Sequence, residues 1–146
     1  MRLNVQTDFA LRLLSCLAAN EGAHLTVSAV AERFNISQNH LTKVAHLLGR
    51  LGMIETLRGR NGGLRLASPA AEICLGDVVR GMENDFALAE CLAGQSGQCH
   101  IEPACRLKGI LRDAMNAFMA VLDQYALKDL VAGNSELKLL LVQEVA

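Results

Sequence analysis

The sequence predicts a mainly α-helical fold with one small β-hairpin and a long helix toward its C-terminal end. Three observations support this prediction: apolar residues recur at helical spacing, two short β-prone runs flank an Arg-Asn-Gly-Gly stretch, and a heptad-like seam follows residue 104. The 146 residues suit one compact domain with one core. No apolar run approaches the roughly 20 residues that span a bilayer, so we expect a soluble protein.

Three helices are predicted in the first third of the chain. The first is capped by Thr7 or Asp8 and ends near residues 20–22. The second spans residues 27–34, and a tight turn separates it from a third helix that begins at Ser37 and ends at Gly52. The third helix is expected to bury Leu41, Val44, Ala45, Leu48 and Leu51. Two short helices joined by a brief turn form a helix-turn-helix.

The runs MIETLRG and LRLAS are predicted to form two short strands after the third helix. The four residues between them, 60–63, include an Asn and paired Gly residues, which accept the positive backbone angles of a tight turn. A basic hairpin in this place is a wing, so the predicted fold class is a winged helix-turn-helix. Pro69 ends the hairpin, and a short helix is expected over 75–82.

A long helix is predicted from residue 104 to residue 125, where apolar positions alternate between spacings of four and three. The predicted seam consists of Leu107, Leu111, Ala114, Phe118, Val121 and Tyr125. Because the seam is shorter than a free-standing coiled coil needs, we expect this helix to pair with its twin in a homodimer while also packing on its own subunit. The tail contains a short helix at LKDLVAG and a segment, ELKLLLVQ, whose type stays open.

Charge separates the chain into a basic front and an acidic rear. Residues 1–68 hold eight Lys or Arg and four Asp or Glu, a balance of +4, whereas residues 69–146 have a balance of −5. A basic module suits contact with nucleic acid phosphates. The chain has only four Phe, one Tyr and no Trp, which is too few for a platform that stacks single-stranded bases. Duplex DNA is therefore the expected partner.

The predicted third helix and wing supply the candidate DNA contacts. Gln and Asn near the start of a recognition helix can bond adenine, Lys can reach guanine or phosphate, and arginines at a wing tip can enter the minor groove. For any single residue, an ordinary solvated surface is an equally good interpretation, so the prediction rests on the combination. The candidates are Ser37, Gln38, Asn39, His40, Lys43, Arg58, Arg60, Asn61 and Arg65.

Three of the five cysteines lie close together as Cys91-x7-Cys99-x5-Cys105. The N-terminus does not have the layout of a secretory signal, so we expect a cytoplasmic protein whose thiols stay reduced. A zinc site would usually show a CxxC pair, which is absent; thiolates on a longer loop favour an iron-sulfur cluster. A zinc site with His100 as its fourth ligand stays an alternative. A further alternative is that the three thiols bind no cofactor. Cys16 and Cys74 are interpreted as small core residues.

An enzyme is not expected. A Cys nucleophile would need a neighbouring base, for which His100 is the available residue. The loop around it shows no signature of an oxyanion hole or a substrate pocket.

Four stretches resemble one known family: TDFALRLL, SQNHLTKVAHLLGRLG, TLRGRNGGLRLA and CHIEPACRLKGIL. They are similar to the winged-helix iron-sulfur transcription regulators, and most like members of the NsrR type, which are nitric-oxide-sensing repressors. The likeness covers nearly the whole chain. Its most specific parts are the RGRNGG wing, the cysteine triplet and the PACRLK stretch.

The resemblance implies a cofactor and a set of ligands. Each subunit of a homodimer would hold one cluster, [4Fe-4S] with [2Fe-2S] as the alternative, on Cys91, Cys99 and Cys105. In NsrR-type members an aspartate near the N-terminus reaches the cluster of the other subunit as fourth ligand, and Asp8 matches it here. IscR-type members instead use a His three residues after the last Cys, where this chain has Lys108.

The function implied by the resemblance is repression through a two-fold DNA operator, which is released when nitric oxide nitrosylates or removes the cluster. The x7 spacing and the FALAEC stretch are shared with iron-responsive RirA-type members. An iron-responsive, redox-responsive or zinc-binding regulator therefore stays open as an alternative. The expected organisation is a winged-helix DNA-binding region at 1–82, a cluster-binding loop at 83–105, and a dimerisation helix with a C-terminal tail at 106–146.

Overall fold

The computed structural model describes residues 2–59, 62–93 and 99–142. Over these ranges the main elements are α1 (Val5–Ala19), α2 (Val27–Arg33), α3 (Gln38–Arg50), β1 (Ile54–Leu57), β2 (Gly63–Leu66), α4 (Leu75–Met82), α5 (Arg106–Leu122), α6 (Leu127–Val131) and α7 (Ser135–Leu141). The predicted mainly helical fold with one hairpin is confirmed. In the part of the chain that the structure describes, no helix is long and apolar enough to cross a membrane.

Helix α1 lies at the centre of the fold, where it packs against α3, α4, α6, α7 and β2. Its Ala10, Leu13 and Leu14 are fully buried, as their helical spacing on one face requires. Leu127 and Val131 of α6 belong to the same hydrophobic core. The C-terminal helices therefore fold back onto the N-terminal half of the chain.

The start of α1 differs from the prediction. Asn4 is the N-cap, and its Oδ1 accepts a hydrogen bond of 2.8 Å from the backbone N–H of Thr7. The prediction that Thr7 or Asp8 caps this helix was wrong, because Asn, Thr and Asp are all good caps and the pattern alone does not choose among them. The Thr7 hydroxyl instead donates to the distant Glu83 carboxylate.

Helices α2 and α3 form the predicted helix-turn-helix and pack against each other. Asn35, in the turn between them, has a φ of 50°, and Gly52 follows α3 with a φ of 71°. On α3, Leu41, Val44, Ala45 and Leu48 are buried as predicted. Leu51 is 42% exposed instead of buried, because it is the C-cap residue beyond the last helical turn.

Strands β1 and β2 form the predicted antiparallel hairpin, with Ile54 opposite Leu66 and Leu57 opposite Gly63. A contact that the sequence pattern did not predict ties this hairpin to the protein body. Leu25, which precedes α2, exchanges two backbone hydrogen bonds with Leu64, at 3.0 and 2.7 Å. Strand β2 of the wing is therefore fixed to the connection between α1 and α2.

Beyond the wing, α4 occupies the predicted residues 75–82. The segment 83–105 was predicted to be a loop, and its described residues contain two short 3₁₀ turns, at Glu90–Leu92 and Glu102–Ala104. The tail segment whose type was left open contains α7, a helix that packs on α1 and α6.

Helix α5 packs against α4, yet none of its residues is fully buried. Its outward face carries an apolar stripe spaced three, four, three and four, formed by Leu107, Ile110, Ala114, Ala117 and Val121, all exposed. The predicted seam shares Leu107, Ala114 and Val121 with this stripe but takes its other residues from different positions. Leu111 and Phe118, which it included, are half-buried.

Candidate functional site

The N-terminal turn of α3 presents a row of polar side chains to solvent. Gln38, Asn39, His40 and Lys43 are exposed, because the apolar residues on the opposite face of the same helix enter the core. Ser37 occupies the N-cap position, although its side chain makes no capping hydrogen bond. Five of the predicted DNA contacts therefore lie on one accessible end of the second helix of the helix-turn-helix.

The wing places its arginines in unlike environments. Arg58 is exposed at the end of β1. Arg65 on β2 lies opposite Glu55 on β1, and its Nε and Nη2 donate hydrogen bonds of 2.9 and 2.6 Å to Glu55 Oε2. The Arg65 guanidinium is thus already paired within the sheet. The remaining predicted wing contacts, Arg60 and Asn61, lie outside the described residues.

The three clustered cysteines carry free thiols. Cys91 lies in the 3₁₀ turn that packs against α5, and Cys105 is the N-cap residue of α5. Both are half-buried, whereas Cys99 is exposed. His100, the candidate for a zinc ligand, is exposed beside Cys99.

Backbone hydrogen bonds connect Cys99 to Cys105 through Glu102. The Glu102 N–H donates to the Cys99 carbonyl at 3.1 Å, and the Cys105 N–H donates to the Glu102 carbonyl at 3.2 Å. The Glu102 carboxylate accepts a hydrogen bond of 2.5 Å from Lys108 Nζ. This hydrogen bond raises the pKa of Lys108, and the negative charge of the Glu102 carboxylate raises it further. Lys108 is therefore a fixed positive charge beside the cysteine segment.

The two other cysteines lie apart from this segment. Cys16 is 1% exposed in the core, as predicted, and burial raises the pKa of its thiol. Cys74 was expected in the core as well, but it is a half-buried N-cap residue of α4 whose Sγ lies 3.8 Å from Asp123 Oδ1. Its place at a helix end, where the chain turns near the surface, explains the difference.

Asp8 lies in the first turn of α1 and forms an ion pair of 2.6 Å with Arg12 one turn later. Its side chain is 47% exposed. It lines an open surface cavity of about 300 Å³ together with Arg2, Leu3 and Val5. The carboxylate is therefore accessible from outside the subunit.

Among the described residues, no three His, Cys, Asp or Glu side chains lie close enough together to hold a metal ion. The donor chemistry nevertheless fits an iron-sulfur cluster, whose usual ligands are Cys thiolates. The three clustered thiols are free of disulfides and belong to one short segment. They would have to approach one another on binding.

A group of hydrogen bonds that the sequence pattern did not predict lies at the start of this segment. Glu83 follows α4 directly, and its carboxylate accepts hydrogen bonds from Asn4 and Thr7 at the start of α1. The partners are 79 and 76 residues away along the chain. No local spacing signals a contact between such distant positions.

Comparison with known proteins agrees with this architecture. The model of the Rrf2 family, described as an iron-dependent transcriptional regulator, matches residues 3–133. The chain belongs to the Rrf2 family.

Rrf2 relatives with similar sequences are named as transcription regulators. The HTH-type transcriptional regulator NsrR of Shouchella clausii is 49% identical over 142 residues, covering 97% of this chain and 95% of the relative. The protein of the same name from Bacillus subtilis is 44% identical over 146 residues, covering 99% and 100%. The chain is therefore a DNA-binding transcription regulator and not an enzyme, as predicted.

Solved Rrf2-like structures match the fold over most of the chain. The oxidized form of CymR from Staphylococcus aureus has a TM-score of 0.71 and 28% identity, covering 90% of this chain and 97% of that one. IscR from T. potens has a TM-score of 0.75 and 20% identity, covering 94% and 90%. The second likeness concerns the fold alone, and it agrees with the predicted winged helix.

Proposed function

We propose that this Rrf2 regulator is a homodimeric repressor that senses nitric oxide through an iron-sulfur cluster and releases its operator when the cluster is nitrosylated or lost. The observation that carries the proposal is the set of three free thiols on the segment 83–105 in a chain 49% identical to a regulator named NsrR. The resemblance of this chain to NsrR-type regulators implies that nitric oxide is the signal.

DNA recognition is assigned to the exposed N-terminal turn of α3 and to the wing. Gln38 and Asn39 would read base edges in the major groove, and Lys43 would contact guanine or phosphate. Ser37, His40 and Arg58 extend the same surface, with Arg60 and Asn61 as the proposed wing-tip contacts. Arg65 can contribute only by sharing or leaving its bond to Glu55.

Cluster binding is assigned to Cys91, Cys99 and Cys105, with Asp8 of the second subunit as the fourth ligand. The bound cluster would supply iron to which nitric oxide can bind. The exposure of Asp8 and of Cys99 supports this assignment, because a ligand shared between subunits must be reachable from outside its own subunit. A carboxylate is also a weaker ligand for an iron-sulfur centre than a thiolate, which suits a site that must release its cluster.

The dimer is assigned to α5. Leu107, Ile110 and Val121 are 59%, 62% and 54% exposed, and together with two alanines they form a heptad-like stripe. An apolar stripe of this length on a helix surface favours association with a second copy. A two-fold dimer would place two copies of α3 on one face of a symmetric operator.

The proposal is tested with protein purified without oxygen. An operator duplex is first selected from a random library by the cluster-loaded protein, and its affinity is then measured by fluorescence anisotropy before and after a nitric oxide donor is added. Visible absorption is recorded in the same cuvette. We expect the cluster absorption to change and the affinity to fall together. An unchanged affinity after the absorption has changed would contradict nitric oxide sensing.

Iron responsiveness is the second candidate, and it is favoured by the matching family model, which describes an iron-dependent regulator. The same anisotropy assay separates the candidates when an iron chelator replaces the nitric oxide donor. Rapid release by chelator together with indifference to nitric oxide would favour the iron-responsive regulator. A colourless protein that contains zinc would favour the zinc-binding one.

A further inference from the structure

Glu83 joins two segments that carry proposed cluster ligands. Its Oε1 accepts hydrogen bonds from the Asn4 backbone N–H at 2.8 Å and from Thr7 Oγ1 at 2.7 Å, while its Oε2 accepts one from Asn4 Nδ2 at 3.1 Å. Asn4 Nδ2 also donates to the Met82 carbonyl at 3.1 Å. We call these contacts among Asn4, Thr7, Met82 and Glu83 the Glu83 network.

The Glu83 network is well shielded from water at its centre. Thr7 has no exposed surface and is the one buried polar side chain found among the described residues. Its hydroxyl has the Glu83 carboxylate as acceptor, and a buried hydroxyl that loses its acceptor is destabilised. Hydrogen bonds to a carboxylate are also stronger than those between neutral groups. The network therefore opposes displacement of the start of α1 from the end of α4.

The Glu83 network lies between the segment that carries Asp8 and the segment that carries Cys91. Asp8, the proposed ligand for the cluster of the second subunit, directly follows Thr7 on α1. Glu83 is the first residue of the segment that leads to Cys91, which is proposed to hold the subunit's own cluster. Helix α1 in turn packs against α3, the proposed recognition helix. Displacement of the segment that leads to Cys91 would therefore act on α1 through the bonds of Glu83 to Asn4 and Thr7, and α1 packs directly on α3.

We infer that Glu83 is a positioning residue that couples the state of the cluster to the affinity for DNA. It holds the first turn of α1 against the end of α4, so that displacement of either ligand-bearing segment moves α1. The hydrogen bonds of the Glu83 carboxylate in the described part of the chain go to Asn4 and Thr7, which are neither proposed ligands nor proposed DNA contacts. The inference rests on the proposed function, because it requires a cluster that controls DNA binding.

The test measures coupling, defined as the apo dissociation constant for the selected operator divided by the cluster-loaded one. Glu83→Ala removes all three carboxylate bonds and should lower this ratio by about ten-fold or more, with the cluster absorption retained. Glu83→Gln keeps an acceptor for Asn4 N–H and Thr7 Oγ1, so we expect it to recover part of the ratio. Thr7→Val removes one bond at nearly constant volume and should lower the ratio about three-fold.

Asp85→Asn is the matched control, because it removes a negative charge from the same segment. Within the described ranges, the Asp85 carboxylate accepts a hydrogen bond only from the nearby Ala87 N–H. Its ratio should stay within about two-fold of the wild type. If Glu83→Ala does not fold by circular dichroism, Thr7→Val and Glu83→Gln decide the outcome.

Two results would overturn the inference, and they are distinguishable. Equal losses of affinity in the apo and cluster-loaded forms, with an unchanged ratio, would show that Glu83 only stabilises the fold, while the proposed function stands. A wild-type ratio of one would refute the proposed function and the inference with it.

Discussion

At the scale of single residues, the cysteines of this protein differ in the environment of the sulfur atom. Cys16 is enclosed by the core, and its Sγ lies 3.7 Å from the Leu141 carbonyl. Burial raises the pKa of this thiol, which lowers the fraction present as thiolate at neutral pH. Cys99 is exposed to solvent. The thiolate is the reactive form of cysteine, so the two residues should react at very different rates.

Alkylation of the cluster-free protein tests this difference. With iodoacetamide at neutral pH, we expect Cys99 to be modified at least about ten times faster than Cys16, as followed by peptide mass spectrometry. In guanidinium chloride, where the core is lost, the two rates should converge. Equal rates in the folded protein would contradict the placement of Cys16 in the core.

Replacement of single cysteines tests the ligand assignment. Cys99→Ala should abolish the visible absorption of the cluster and leave the far-ultraviolet circular dichroism unchanged, because Cys99 lies on the surface and contributes nothing to the core. Cys74→Ala is the control, since Cys74 is also incompletely buried but lies at the N-terminus of α4. It should keep the absorption. Loss of the cluster in both variants would point to a requirement for folding instead of ligation.

The start of α3 and the Glu83 network differ in how far the sequence predicts them. The polar start of α3 is a local pattern, and it predicted accessible side chains that the structure places on the surface. The carboxylate of Glu83 and the hydroxyl of Thr7 meet only after α1 and α4 have packed together. Because no local period marks such a pair, the sequence alone did not predict the Glu83 network.

At the scale of elements, the wing depends on the close approach of backbones that glycine allows. A Cβ atom on Gly62 would clash with the Leu57 carbonyl oxygen and would lie 2.9 Å from that of Gly59. Gly62 also donates a backbone hydrogen bond of 3.0 Å to Gly59. Any larger residue at this position therefore forces the connection between the strands apart.

Gly62→Ala should weaken operator binding about ten-fold and lower the free energy of unfolding by about 1–3 kcal/mol, because backbone atoms cannot move away as a side chain can. Gly49→Ala is the control: a Cβ there meets only the Ile54 carbonyl oxygen at 3.9 Å. In helix α3 this change should stabilise the protein by about 0.5–1 kcal/mol. Chemical denaturation and anisotropy measure both effects. Unaltered DNA binding by Gly62→Ala would place the wing outside the DNA interface.

Elements also differ in how well periodicity predicts them. Helix α4 has a single buried face and its bounds were predicted correctly, whereas α5 has apolar residues on two faces. Leu111 and Phe118 turn toward the body of the protein, and Leu107 and Ile110 turn outward. Apolar residues spaced three and four positions apart can follow either face of the helix or pass from one face to the other. The sequence therefore predicted the helix and the stripe residues Leu107, Ala114 and Val121, but it also assigned Leu111 and Phe118 of the inner face to the same seam.

At the scale of the whole molecule, we propose that the basic front and the acidic rear have separate tasks. The front half carries the exposed turn of α3 and the wing, where positive charge favours contact with phosphates. The rear half carries α5, whose outward stripe is apolar. A symmetric operator requires two front halves at a fixed spacing, and an interface in the rear half can set that spacing without competing with DNA for the same surface.

Ile110→Glu tests this arrangement, because it places a charge near the middle of the exposed stripe at a residue that is 62% exposed in the single subunit. The subunit should stay folded, and the dimer dissociation constant should rise on the order of 100-fold because a carboxylate would be buried at the contact. Arg112→Glu changes the charge of an exposed α5 residue outside the stripe and should leave association nearly unchanged. Sedimentation velocity over a concentration series measures both variants. A dimer unaffected by Ile110→Glu would place the interface outside α5. The proposed approach of Asp8 to the cysteines of the second subunit would then need a different arrangement of the two subunits.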